Sequence, residues 1–182
     1  MPGAMRQLGT GLLLIVLAAC STPVAISRAS APTPSATPPT CQLRGPLPDP
    51  VCAPGVADPE VTQGNLESTI CMRGYTRTVR PPVAYTDALK QRQLLAYGLT
   101  EPIADYEEDH LIPLEVGGSP ADPRNLWPEP RDVLLPGEGA ETKDKLENRL
   151  HDLVCSGALL LSDAQHAVAS DWLAAYRVYV SS

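Results

Sequence analysis

The segment EEDHLIPLEVGGSPADPRNLWP, Glu107 to Pro128, joins the densest polar constellation of the chain, Glu107-Glu108-Asp109-His110, to the turn pair Gly117-Gly118 and then to Asn125-Leu126. The run Asp109-His110-Leu111-Ile112-Pro113-Leu114 reads as short and extended. Gly117-Gly118 and the Pro/Asp-rich sequence after them mark a loop, and Asn125-Leu126-Trp127 reads as a second short strand. The expected class is α+β: a small two-strand unit backed by helices, mostly α.

Outward from that segment the periodicity becomes helical. Downstream, Ala140 to Cys155 places Leu146, Leu150, Leu153 and Val154 at i, i+4, i+7 and i+8, one apolar stripe with Gly157 at the stop. A last helix is predicted from Ser162 to about Tyr176, carrying Ala167, Val168, Trp172 and Leu173. Upstream, Thr86 to Tyr97 reads as a helix capped by Thr86 and ended by Gly98. Thr62 to Cys71 reads as a shorter one with Thr62 as cap, weakened by Gly64. Trp127 and Trp172 are expected in the core.

In a regular strand Asp109 and His110 point to opposite faces, so a joint site needs His110 at a strand end or bulge. The chemistry these types suit is metal-assisted hydrolysis. A carboxylate holds a hard divalent ion, the ion stabilises charge on a phosphoryl oxygen, and a neutral imidazole takes a proton from water. An Asn amide can fix the imidazole tautomer. The other role open to Glu107, Glu108 and Asp109 is a solvated acidic loop, with His110 as a packing residue.

The same segment resembles the motif of HNH, or His-Me finger, endonucleases, in which an acid-His pair ends a first strand, a Pro-x-x-x-Gly-Gly turn follows, and Asn-Leu opens a second strand before a helix. The resemblance runs from Glu107 to Cys155. It implies a ββα-metal unit, with Asp109 as a metal ligand, His110 as general base, Asn125 orienting the imidazole, and a divalent ion (Mg, Mn or Zn) as cofactor. The family helix usually supplies a His or Asn ligand three residues before a Lys; here Ala140 stands before Lys143, and alanine cannot ligate. Glu147 is the expected substitute, with Glu141 next; Glu147 also stands i+4 from Lys143, where an ion pair is its other role. Arg124, beside Asn125, is the expected phosphate clamp, and Arg73, Arg77 and Arg80 around Tyr75 are further candidates, with surface solubility the other role open to them. The activity implied is phosphodiester hydrolysis in nucleic acid, DNA first. The alternative is a non-catalytic envelope lipoprotein that keeps the finger fold for binding or structure.

The N-terminus reads as an address. Arg6, the apolar run Leu12 to Ala19 and a small-residue end form a secretory signal over residues 1–19, too short to span a bilayer. Leu17-Ala18-Ala19-Cys20 resembles the lipobox of bacterial lipoproteins, which implies lipidation of Cys20 and anchoring to the bacterial cell membrane. Residues 20–50, with eight prolines among Ser, Thr and Ala, read as a tether, leaving 51–182 as the domain. Outside the cytoplasm the four other cysteines, Cys41, Cys52, Cys71 and Cys155, suggest two disulfides. Three connectivities are open, and Cys41–Cys52 with Cys71–Cys155 is the one expected here. The pair His151 and Cys155, one helical turn apart, also has the spacing of a thiolate–imidazole dyad, but bridging is the commoner fate of an exported cysteine. No CxxC pair supports zinc.

With 182 residues, 43% hydrophobic and 20 of them proline, the chain fits one modest domain plus irregular sequence. Fourteen Lys and Arg against 21 Asp and Glu give a formal charge of −7, which excludes a broad basic surface for gripping nucleic acid. Phosphate chemistry on such a chain depends on a metal or a few local arginines.

Overall fold

In the computed structural model, which describes residues 40–181, the Glu107–Pro128 segment supplies a two-stranded antiparallel sheet. The strands are β1, Tyr106–His110, and β2, Leu126–Pro130, with Tyr106 opposite Pro130 and His110 opposite Leu126. The described residues also carry four helices: α1 Tyr75–Val79, α2 Val83–Tyr97, α3 Ala140–Cys155 and α4 Leu161–Tyr179. The α+β class is as expected. The predicted leader, Cys20 and the tether as far as residue 39 lie outside the described residues.

The first strand starts and ends earlier than the sequence pattern implied. Pro113 lacks an amide hydrogen for a ladder, so after Leu111 the chain leaves the sheet and turns through a 3-10 turn, Leu114–Val116, into Gly117 at φ 74. A Cβ on Gly118 would lie 1.7 Å from the Ile112 carbonyl oxygen, so only glycine closes this turn. Its amide donates to the Pro113 carbonyl, and it stands opposite Ala57 in a bridge closed by its neighbours, the Asp58 amide donating to the Gly117 carbonyl and the Ser119 amide to that of Val56.

α2 begins at Val83, not Thr86, because Pro82 at φ −58 and ψ 140 turns the chain into the helix. The Thr86 hydroxyl sits inside the first turn and donates to the Val83 carbonyl instead of capping. The C-terminus is as read: Gly98 takes a left-handed conformation and the Leu99 amide donates to the Leu94 carbonyl. Over 62–71 only one 3-10 turn forms, Leu66–Ser68. There Asn65 accepts from the Thr62 amide and donates to the Glu60 carbonyl, offering the backbone a turn in place of a helix.

α3 keeps its predicted bounds. Its amides are capped from outside the helix: Asp132 accepts from the Gly139 and Thr142 amides and from the Thr142 hydroxyl. Leu146, Leu150 and Val154 of its stripe are buried against Trp127, Val168 and Trp172, the centre of the core. Truncating a buried leucine such as Leu146 to alanine costs about 2–5 kcal/mol. α4 runs beyond Tyr176 to Tyr179 and is broken at Asp171, whose carboxylate accepts the Ala174 amide and so caps the second half.

Both expected disulfides are present, Cys41–Cys52 and Cys71–Cys155, as suits an oxidising compartment. Cys155 therefore forms no dyad with His151. Residues 40–50, predicted as the end of the tether, belong to the folded body: the Thr40 and Cys41 amides donate to the Ala96 carbonyl, and the Trp172 indole donates to the Pro46 carbonyl at 2.7 Å. The Cys41–Cys52 bridge, which composition alone does not weigh against the prolines, fixes that stretch. Among the described residues no helix is long and apolar enough to cross a membrane.

Candidate functional site

Alternation along β1 gives its two faces different chemistry. Glu107 and Asp109, with Glu129 of β2, face α3; Glu108 faces α2, whose Lys90 Nζ donates to the Tyr106 carbonyl at 2.5 Å and whose Gln93 amide donates to that of Leu126 at 2.8 Å. His110 is the last residue of β1, the strand end that the sequence required for a site.

On the α3 face the side chain of Lys143 is fully buried. Its Nζ donates to Asp109 Oδ2 at 2.5 Å, to the His110 carbonyl at 3.0 Å and to Glu147 Oε1, and lies 3.7 Å from Glu129 Oε2. An ammonium has three donors, and all three are used. Burial opposes the charge on Lys143, but the carboxylates around it outweigh burial and raise its pKa. For Asp109 burial likewise opposes ionisation, and the Lys143 charge wins and holds the carboxyl well below the usual range. Glu129 and Glu147 go the other way: burial raises both, Glu147 to about 8 and Glu129 well above the ordinary glutamate value, and the nearby Asp109 charge adds to each shift. Around Lys143, the charged form is favoured for Asp109, while burial works against charge on Glu129 and Glu147.

On the other side His110 lines a cleft of about 370 Å³ with Arg80, Lys90, Glu107, Glu108 and Arg131. Its Nε2 lies 2.9 Å from the Pro120 carbonyl oxygen. A carbonyl only accepts, so Nε2 carries the proton and Nδ1 keeps its lone pair. Burial lowers the His110 pKa, the Asp109 charge partly offsets that, and Arg80 adds to the lowering. The ring is a neutral base at pH 7. Burial pushes the Glu108 carboxyl up to about 8, against the pull of Lys90. Arg131 is held between Glu107 at 2.9 Å and Glu141 at 3.1 Å, while Arg80 forms no ion pair among the described residues.

The predicted site residues fall into two groups. Asp109 and Glu147 come together at Lys143 on the α3 face, whereas the His110 ring points to the opposite cleft and only its carbonyl reaches that cluster. Asn125 stands close by, but its amide does not meet the imidazole. Oδ1 accepts the Val56 and Ile112 amides, and Nδ2 donates to the Ile112 and Ser119 carbonyls. It holds the loop that presents Pro120 to His110. Arg124 is outside the site: its guanidinium is exposed and held by Asp122 two residues away. Glu141 is likewise committed, to Arg131 and to the Asp132 amide. Lys143, Glu129 and Lys90 were not singled out as site residues. The i, i+4 relation of Lys143 to Glu147 was visible, but it suggests a surface pair, and the depth of Lys143 comes from the opposing sheet.

A divalent ion at this position would draw on Asp109 and Glu147. Both already face the same ammonium, and Ala140, one turn earlier on α3, presents a methyl group. These residues do not fit a divalent ion. Comparison of the chain with known protein families, curated proteins and solved structures gives no match.

Proposed function

We propose that this chain is an exported phosphodiester hydrolase of the HNH, or His-Me finger, type, acting on nucleic acid, DNA first, from a lipid anchor at Cys20. The observation that carries the reading is His110: a buried, neutral imidazole at the end of β1, held through Nε2 by a backbone carbonyl, with Nδ1 unprotonated beside a cleft that holds Arg80. In that role Nδ1 takes a proton from water as its oxygen bonds to phosphorus, the ester P–O bond opposite it breaks, and the departing alkoxide takes a proton from solvent. Arg80 offers its fork to the phosphate oxygens. The order strand, Gly-Gly loop, strand and helix supports the same reading, as does the carbonyl-bound imidazole.

One observation favours the second reading, a non-catalytic envelope lipoprotein with the finger fold: Lys143 neutralises the carboxylates that the resemblance assigns to metal. The experiment is to incubate the oxidised chain from Ser21 onward with supercoiled plasmid and with RNA. Parallel samples contain Mg²⁺, Mn²⁺ or Zn²⁺, a chelator, or the His110→Ala variant. Cutting that His110→Ala abolishes in a folded protein supports the hydrolase. A folded wild type that cuts neither polymer leaves the binding module.

A further inference from the structure

We propose that the Lys143 ammonium is this chain's resident cation, built into the position between Asp109 and Glu147 in place of a divalent ion. Its three N–H groups converge on Asp109, on the backbone carbonyl of His110 and on Glu147, with Glu129 at 3.7 Å behind them. A hard divalent cation would gather such oxygens from a sheet and a helix in the same way, with charge in the middle and oxygen around it. Lys143 supplies that charge from α3 itself. Ala140 lies one helical turn before it and is buried, so a methyl stands where a ligating side chain would project.

The contact to the His110 carbonyl gives this cation a consequence for the site. It pins the last residue of β1 from the α3 side while Pro120 pins the imidazole from the loop side. Lys143 is in this sense a positioning residue for His110. A divalent ion at this position is then dispensable for any reaction that His110 performs; that last step rests on the hydrolase reading, whereas the identity of the cation does not.

The test is Mn²⁺ binding, read by the electron-spin resonance of free Mn²⁺ and by broadening of the His110 ring signals, on the oxidised chain and on Lys143→Met. Wild type is expected to take up no Mn²⁺ at this cluster at millimolar concentration. In Lys143→Met the vacated carboxylates are expected to bind Mn²⁺ more than about tenfold tighter than wild type does, with a rise in melting temperature, and Glu147→Gln added to it removes the gain. Stoichiometric Mn²⁺ on wild type that broadens His110 and is lost in Asp109→Asn overturns the proposal. So does a folded Lys143→Met that gains no Mn²⁺ affinity. If Lys143→Met folds only with Mn²⁺ present, the ion has replaced the ammonium and the proposal stands; if it does not fold at all, the wild-type titration decides by the same two outcomes. Should wild type cut nucleic acid, chelator is expected to leave the rate unchanged, and an inert wild type bears on the hydrolase reading alone.

Discussion

His110 Nε2 and the Pro120 carbonyl oxygen lie 2.9 Å apart, ten residues from each other along the chain, and this bond fixes which ring nitrogen is basic. Burial keeps the pKa of that ring below the ordinary 6.5. Cleavage is expected to rise with pH through an apparent pKa under 6.5 and then level off, as an initial-rate profile would record. The same shift acts on stability. Below 6.5 the unfolded chain binds more protons, so the His110 contribution is full above that pH and is lost as pH falls through the folded pKa. A rate that keeps climbing well above neutrality would contradict the assignment.

Glu108 gives a pH dependence of opposite sign. Its carboxyl is raised from 4.5 to about 8, chiefly by burial, so its contribution is full below pH 4.5 and is lost as pH rises through about 8. Neither of its oxygens has a hydrogen-bond partner. Glu108→Gln, which cannot ionise, should therefore gain stability relative to wild type on going from pH 5 to pH 8, by roughly 1–3 kcal/mol. Urea unfolding at the two pH values measures it; a difference that does not change with pH would refute the shift.

Asn125 is fully buried and closes four hydrogen bonds to Val56, Ile112 and Ser119. Alanine there strands two amides and two carbonyls, and the expected loss is about 3 kcal/mol or more. Asn125→Asp keeps the acceptor side and turns the donor side into a second oxygen facing two carbonyls, so it should also destabilise. If either variant unfolds at the wild-type urea midpoint, the clamp is not what holds the loop.

The two disulfides close loops of very different length, with sequence separations of 11 and 84. On the chain-entropy account the bridges stabilise by about 3 and about 4.5 kcal/mol respectively. Cys71→Ser/Cys155→Ser should lower the unfolding free energy more than Cys41→Ser/Cys52→Ser does. Denaturant melts of the two double variants against the oxidised chain give the ranking, and the reverse order would point to strain or to structure in the unfolded state.

What sequence could and could not convey follows from how local each signal is. The bounds of α3 come from its own apolar stripe, and the end of α2 from Gly98, because both are set within a few residues. In sequence Leu114 reads as part of the first strand because apolar alternation ignores the missing amide of Pro113. Asn125 holds backbone and not the imidazole because an amide satisfies either as readily, and sequence does not tell which group is near. Lys143 was hidden for a related reason: lysine at i, i+4 from glutamate is the pattern of an exposed helix face, and its burial is created by Asp109 and Glu129 arriving from the sheet.

That buried lysine also constrains how the sequence can drift. Removing one partner from a buried ion pair costs about 3–5 kcal/mol, a large part of the 5–15 kcal/mol that holds a domain together. Asp109 or Lys143 cannot be exchanged first, since each leaves the other charged and enclosed. Glu129 can, because it stands 3.7 Å from the ammonium without a hydrogen bond to it, so Gln there leaves the three N–H bonds of Lys143 in place. Glu147 comes next and the Asp109–Lys143 pair last, both together. The order in which these four positions can change is therefore written into their charges.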